Sequence, residues 1–136
     1  MLAEPSIDYP EARRALDAIY RKVLKRGKAG VIAVCDAHGE LIAFARMDGA
    51  PFSSITIAMN KAYSAARERK PSGAIGVAAR EAGFDIGYFG DGRFTGWGGG
   101  VPVVKEGKVI GAVAVSGLPE DEDIELASMG AALIGD

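Results

Sequence analysis

Apolar positions recur at helical spacing along the first stretch of the chain. Ala12, Ala15, Leu16, Ile19, Val23 and Leu24 share one face, which predicts a helix from Asp8 to about Arg26. Asp8 with Glu11 three residues on is a capping-box pattern, and Pro10 sits in the first turn. Lys22, Lys25 and Arg26 give the far end the positive charge its dipole favours, and Gly27 stops it. The period then changes. Val31 to Asp36 is a short apolar run with β-branched residues and Leu41 to Met47 is a second apolar run, the two separated by the turn-forming Ala37, His38, Gly39 and Glu40. The runs are continuous rather than alternating, which predicts a hairpin covered, or nearly covered, on both faces.

Helical spacing returns with Ile55, Ala58, Met59, Ala62, Ala65 and Ala66. Ser53 or Ser54 is placed to cap this helix, Arg69 lies near its end, and Lys70 with Pro71 stops it. The alanines predict a close approach to the sheet. Arg67, Arg69 and Lys70 read as its solvated cationic end. Ser72 can cap a shorter helix from Gly73 to Ala82. From Gly83 to Gly100 there is no period, only glycines mixed with Phe84, Tyr88, Phe89, Phe94 and Trp97. A loop that long inside a small domain is usually functional. A second hairpin follows, Val101 to Lys105 and Lys108 to Ser116 around the turn Glu106–Gly107. Gly117 ends it. The last helix starts near Pro119, with Glu120, Asp121, Glu122 and Asp123 at its positive end and Ile124, Ala127 and Ala131 facing inward.

Two hairpins among helices cannot by themselves make a parallel sheet. The order predicts an α/β protein of the α+β kind, with an antiparallel sheet of four or five strands and helices packed against it. The 136 residues suit one domain over 1–136. Sixteen Lys and Arg against 18 Asp and Glu leave a net charge of −2, so no nucleic acid and no anionic membrane surface is an expected partner. The longest apolar run, Val109 to Val115, is broken by Gly111 and is far short of the ~20 residues of a spanning helix. Met1 to Tyr9 carries acids and a proline instead of a basic segment followed by an apolar one, and Cys35 is the single cysteine, so the expected location is cytoplasmic. Glycine is the outlier. There are 19, about twice the usual ~7 %, and eleven lie between Gly73 and Gly107. The backbone in that region turns sharply or approaches something closely.

Gly98, Gly99 and Gly100 invite comparison with a phosphate loop. Such a loop needs a Gly-Lys-Ser/Thr and then a helix, whereas Val101, Pro102, Val103 and Val104 continue as a strand. Two uses stay open: a tight lead into an edge strand, or bare amides facing a ligand. His38, the only histidine, reads as an exposed turn residue. Cys35 and His38 are too few for a zinc site, and Glu120 to Asp123 sit where a helix dipole favours acids, so no metal site is expected. Ser116 lacks a nucleophile-elbow context. Arg46, Asp48 and Lys61 are more suggestive. An arginine and a lysine near glycine amides suit a carboxylate or other anion, which makes Arg46, Asp48, Gly49, Lys61, Gly98, Gly99 and Gly100 the expected ligand-binding set. The alternative is that Arg46 and Asp48 pair to fix their turn while Lys61 snorkels to solvent.

Several segments taken in order carry a resemblance. They are Val34, Cys35 and Asp36 with Gly39; Arg46 to Ala50; Lys61 to Ala65; Gly98 to Pro102; Gly111 to Gly117 with Ser116; and Asp123 with Ala127. From about Asp8 to Leu133 the chain resembles the GlcG/HbpS-type haem-binding family, also called haem-degrading. The resemblance implies a profilin-like or PAS-like sandwich, assembled into dimers or larger homo-oligomers, near pathways handling glycolate, propanediol, cobalamin or other small compounds. It also implies haem as a candidate cofactor. Here the residues leave the cofactor open: His38 matches no ligand position, and nothing selects among Met47, Met59, Tyr63, Tyr88 and Cys35.

Three functions are carried forward. The first is a small-ligand-binding accessory protein holding haem or a small anionic organic molecule. The second is a small isomerase- or lyase-like enzyme acting on an organic acid, with Lys61 as acid, base or electrophile and Arg46 as carboxylate clamp. The third is a structural homo-oligomer subunit, with the aromatic segment Phe84 to Trp97 as interface.

Overall fold

A computed structural model describes residues 1–136. Its elements are α1 (Tyr9–Lys25), β1 (Val31–Cys35), β2 (Leu41–Arg46), α2 (Ser53–Glu68), α3 (Ser72–Ala82), a short 3-10 turn (Ile86–Phe89), β3 (Gly100–Lys105), β4 (Lys108–Ser116) and α4 (Glu120–Ala132). The capping box of α1 forms as its sequence predicts. The Asp8 carboxylate accepts from the Glu11 amide at 2.9 Å, and the Glu11 carboxylate accepts from the Asp8 amide at 3.1 Å.

The four strands form one antiparallel sheet in the order β2-β1-β4-β3. Its two faces differ in side-chain size because strand residues alternate. Ile32, Val34, Val113 and Val115 point to one side, where Ile19 and Val23 of α1 and Leu126 and Ala127 of α4 cover them. Ala33, Cys35, Ala112 and Ala114 point to the other, against Ala58, Ala62, Ala65 and Ala66 of α2. Small residues on both partners let α2 lie close to the sheet. The result is the α+β sandwich that a profilin-like or PAS-like domain requires. No helix is long and apolar enough to cross a membrane.

Four sequence expectations need correction. β1 and β4 are covered on both faces, but β2 is not: Leu41 is 48 % exposed, because β2 is a sheet edge and α2 crosses mainly β1, β4 and β3. Neither Ser53 nor Ser54 caps α2, which starts without a side-chain cap. Ser72 does not cap α3 either. Its hydroxyl donates to the Trp97 carbonyl at 2.7 Å and accepts from the Gly100 amide at 2.8 Å, so it ties down the glycine segment instead. Ile124 is exposed rather than inward, since the buried face of α4 is Asp123, Leu126, Ala127, Gly130 and Ala131.

The segment without a period is ordered by side chains rather than by a ladder. Phe94 stacks on Phe89 with ring centroids 4.4 Å apart and meets Tyr63 edge-on at 5.5 Å. The Ser64 hydroxyl accepts from the Thr95 amide at 2.9 Å and donates to the Arg93 carbonyl at 3.3 Å. Tyr63 donates its hydroxyl proton to Asp91. Gly76 of α3 meets Gly96 backbone to backbone, and a Cβ on Gly76 would lie 2.5 Å from the Gly96 carbonyl oxygen. Together these contacts strap residues 84–99 onto α2 and α3.

Cys35 lies within the α2 face, its thiol donating to the Ala62 carbonyl at 3.3 Å, and burial pushes its pKa up to about 12. The native protein is therefore expected to resist iodoacetamide at pH 8, with stoichiometric alkylation only in denaturant. Rapid native labelling, read by mass, would contradict this packing.

Candidate functional site

Lys61 lies on the face of α2 that meets the sheet, one residue before the fully buried Ala62. Its side chain does not snorkel to solvent; it is buried, because α2 sits too close to the sheet for the chain to escape. The ammonium donates to the Val115 carbonyl oxygen at 2.9 Å and lies 3.2 Å from Asp123 Oδ2. Asp123 is equally buried, and its other oxygen accepts from the Leu118 amide at 3.2 Å. Burial disfavours both charges. It pushes Lys61 down and Asp123 up to about 6, each opposed by the charge of the other.

Above this pair opens a cleft of roughly 390 Å³, lined among others by Ser54, Ile57, Trp97, Ser116, Gly117 and Glu120. It is formed by the N-terminal parts of α2 and α4, the end of β4 and the glycine segment. Gly99, at φ +122°, closes the pair from one side; a Cβ there would lie 2.8 Å from Lys61 Nζ and 2.7 Å from the Val115 carbonyl oxygen. Gly100 lies flush on α2, where a Cβ would come within 2.3 Å of the Lys61 carbonyl oxygen. Close approach is what these two glycines serve.

The structure brings part of the expected set together. Gly98 lines the cleft with Lys61, while Gly99 and Gly100 stand behind the pair. Two of the three amides are already used inside the protein, Gly98 by Glu120 at 2.8 Å and Gly100 by Ser72. Arg46, Asp48 and Gly49 do not line the cleft, which that loop reaches only through Pro51. Arg46 and Asp48 form no ion pair. The Arg46 guanidinium instead lies 5.9 Å from the centroid of the Phe52 ring.

Asp123 is the residue that sequence reasoning missed, along with Ser54, Ser116 and Glu120 around the cleft. The four acids in the first turn of α4 are more than complements to its dipole. Glu120 accepts from Gly98. Asp121 accepts from the Glu122 amide at 3.0 Å. Glu122 bridges Arg26 at 2.7 Å and Lys28 at 2.6 Å, and Asp123 holds Lys61.

The clefts do not suit an iron-ligated haem. Neither the Lys61 cleft nor the groove beside it, along α3, is lined by a histidine, methionine, cysteine or tyrosine. His38 is exposed in its turn, 3.6 Å from Glu4, and Cys35 and Met47 are buried in the core. No group of three or more histidine, cysteine, aspartate or glutamate side chains is assembled to hold a metal ion.

The arrangement has close relatives. An uncharacterised 15.0 kDa protein from the dhaT-dhaS intergenic region of Citrobacter freundii is 34 % identical over 124 residues, covering 90 % of this chain and 87 % of that one. The crystal structure of Klebsiella pneumoniae protein ORFY matches with a TM-score of 0.89 at 31 % identity, covering 98 % of this chain and 94 % of the other. A double mutant of Streptomyces reticuli HbpS matches with the same TM-score at 26 % identity, covering 100 % and 92 %. The model of the family described as haem degrading protein HbpS-like matches residues 7–132, and this chain belongs to that family.

Proposed function

We propose that this protein binds a small organic acid in the cleft over Lys61, with Asp123 taking up a proton as the ligand arrives. The observation that carries this reading is a buried Lys–Asp pair at the floor of an open cleft. The charges of Lys61 and Asp123 cancel, and Glu120 at the rim adds one negative charge. A fully ionised site would repel a carboxylate. The ligand can become the partner of Lys61 only when Asp123 is neutral, and burial already raises Asp123 to about 6. The serine hydroxyls of Ser54 and Ser116 are at hand for the remaining polar atoms of the ligand.

The sign of the pH dependence follows. Above about pH 6 the protonated fraction of Asp123 falls, so affinity for a carboxylate is expected to drop by up to about tenfold per pH unit, with about one proton taken up per ligand. Calorimetry in two buffers of different ionisation enthalpy measures that proton. An affinity flat from pH 5 to pH 8 would sink the reading. The family's description concerns haem, but a haemin titration is expected to give no saturable Soret change, because no histidine, methionine, cysteine or tyrosine lines the clefts and the Lys61 ammonium is held by Asp123. A saturable, stoichiometric change would replace the organic acid with haem.

Self-association belongs to the same reading. β2 leaves an unpaired sheet edge, with Leu41 exposed on it and Phe52 80 % exposed beyond it, a surface that suits a second copy. The lone, buried Cys35 suits a cytoplasmic location.

A further inference from the structure

The Lys61 cleft adjoins a second, larger groove, and Trp97 and Glu120 line both. The groove encloses about 770 Å³ between α3 and residues 84–97, with Val77, Phe84, Ile86, Phe94 and Trp97 as its apolar walls. Part of its base is bare backbone. Gly76 of α3 lies against Gly96, too close for a side chain on either partner, and Gly73 packs closely on Gly98, so this part of the groove is floored by backbone. Trp97, the only tryptophan, is 61 % exposed where the two spaces meet. An apolar, aromatic-lined space of several hundred Å³ with a few polar groups at one end is the usual form of a small-molecule site.

We propose that the ligand is an aromatic carboxylic acid, with its carboxylate at Lys61 and its ring against Trp97 in the groove along α3. This rests on the Lys61 reading and names its ligand class. Charge sets the direction. Lys61 lies under one end. Glu120 stands where the spaces join, and its negative charge disfavours a second acid group there. Arg80 and Asp85 on the groove wall carry opposite charges, which gives this wall no net charge and favours an uncharged body for the ligand. Offset or edge-to-face contact with Trp97 and Phe94 then favours a ring over an aliphatic chain.

The test is calorimetry at pH 5 with phenylacetate and, as the ringless control, acetate. Phenylacetate is expected to bind at least about tenfold more tightly, since a buried ring removes far more apolar area from water than a methyl group. Val77→Gln narrows the groove from an exposed helix position. It is expected to bring phenylacetate down to the acetate level while leaving acetate unchanged. Trp97→Ala is expected to remove the preference for the ring. Equal binding of the two acids, both lost in the double variant Lys61→Met/Asp123→Asn, would overturn the aromatic assignment and leave the Lys61 reading standing. Binding of neither acid would remove both. A ring preference that survives both groove variants would overturn the placement. So would a dimer in light scattering that Trp97→Ala dissolves, since a second copy would then occupy the groove.

Discussion

Replacing Lys61 with methionine is expected to cost about 3–5 kcal/mol of stability at pH 7.5, because it leaves the buried Asp123 without its cation. The loss shrinks as the pH falls toward 4. In the variant Asp123 has no counter-charge, so its pKa in the folded state stands higher still than the value near 6 it has beside Lys61. From about pH 4 up to that folded value, the folded variant holds a proton that the unfolded chain has released. Stability therefore falls as pH rises through this window and is recovered below it. Urea unfolding at pH 4.5 and 7.5 reads the difference. An equal loss at both values would show that the Lys61 stem, and not the pairing of charges, is what the fold needs. Asp123→Asn added to Lys61→Met is expected to restore most of the loss at pH 7.5. Asparagine is neutral and keeps the oxygen that accepts from Leu118. Neither variant is expected to bind a carboxylate in the cleft, so ligand binding and folding part company in the double variant.

Gly100→Ala is expected to be the most damaging single methyl in the chain, at about 3 kcal/mol or more. The added carbon would sit 2.3 Å from the Lys61 carbonyl oxygen, 2.7 Å from its carbonyl carbon and 2.9 Å from the Ser72 hydroxyl. Two of these three contacts are backbone, so α2 would have to lift from β3, taking Lys61 with it. Carboxylate binding should fall with stability. Gly92→Ala is the control, since a Cβ there meets nothing within 4 Å. It should be neutral or slightly stabilising. Similar unfolding midpoints for the two variants would mean that α2 and β3 are not locked by this contact.

Much of the fold is legible in the order of residues. The capping box of α1, the turn at Glu106–Gly107 and the alanine face of α2 follow from local rules, and each forms where expected. The site is harder to read, and Asp123 shows why. A cluster of acids at a helix start has a sufficient local explanation in the dipole, which hides the one acid that faces inward. The signal was still present. Asp123 shares helical spacing with Leu126, Ala127 and Gly130, and Lys61 shares it with Ala58, Ala62 and Ala65. A charge on each of two buried stripes demands a partner, and each is the other's complement. Ser64 and Ser72 were unreadable for a different reason. Their partners lie 25 to 31 residues away in a segment without periodicity, so no local rule connects them. Arg46 lies outside the Lys61 cleft, and sequence proximity to a glycine turn does not fix which space a side chain lines.

Those two serines also bear on how the cleft opens. Ser64 of α2 holds two backbone groups of the strap, and Ser72 of α3 holds the Trp97 carbonyl of the strap and the Gly100 amide where β3 begins. The segment that carries Trp97 is a loop by shape, yet it is fastened like part of the helical layer. Lifting it would break helix contacts, so opening belongs to the class of partial unfolding rather than loop flicker. A ligand of the proposed kind would meet walls already in place and forfeit little affinity to ordering them. Exchange of ligand would then be timed by diffusion through a fixed mouth, and not by a gate.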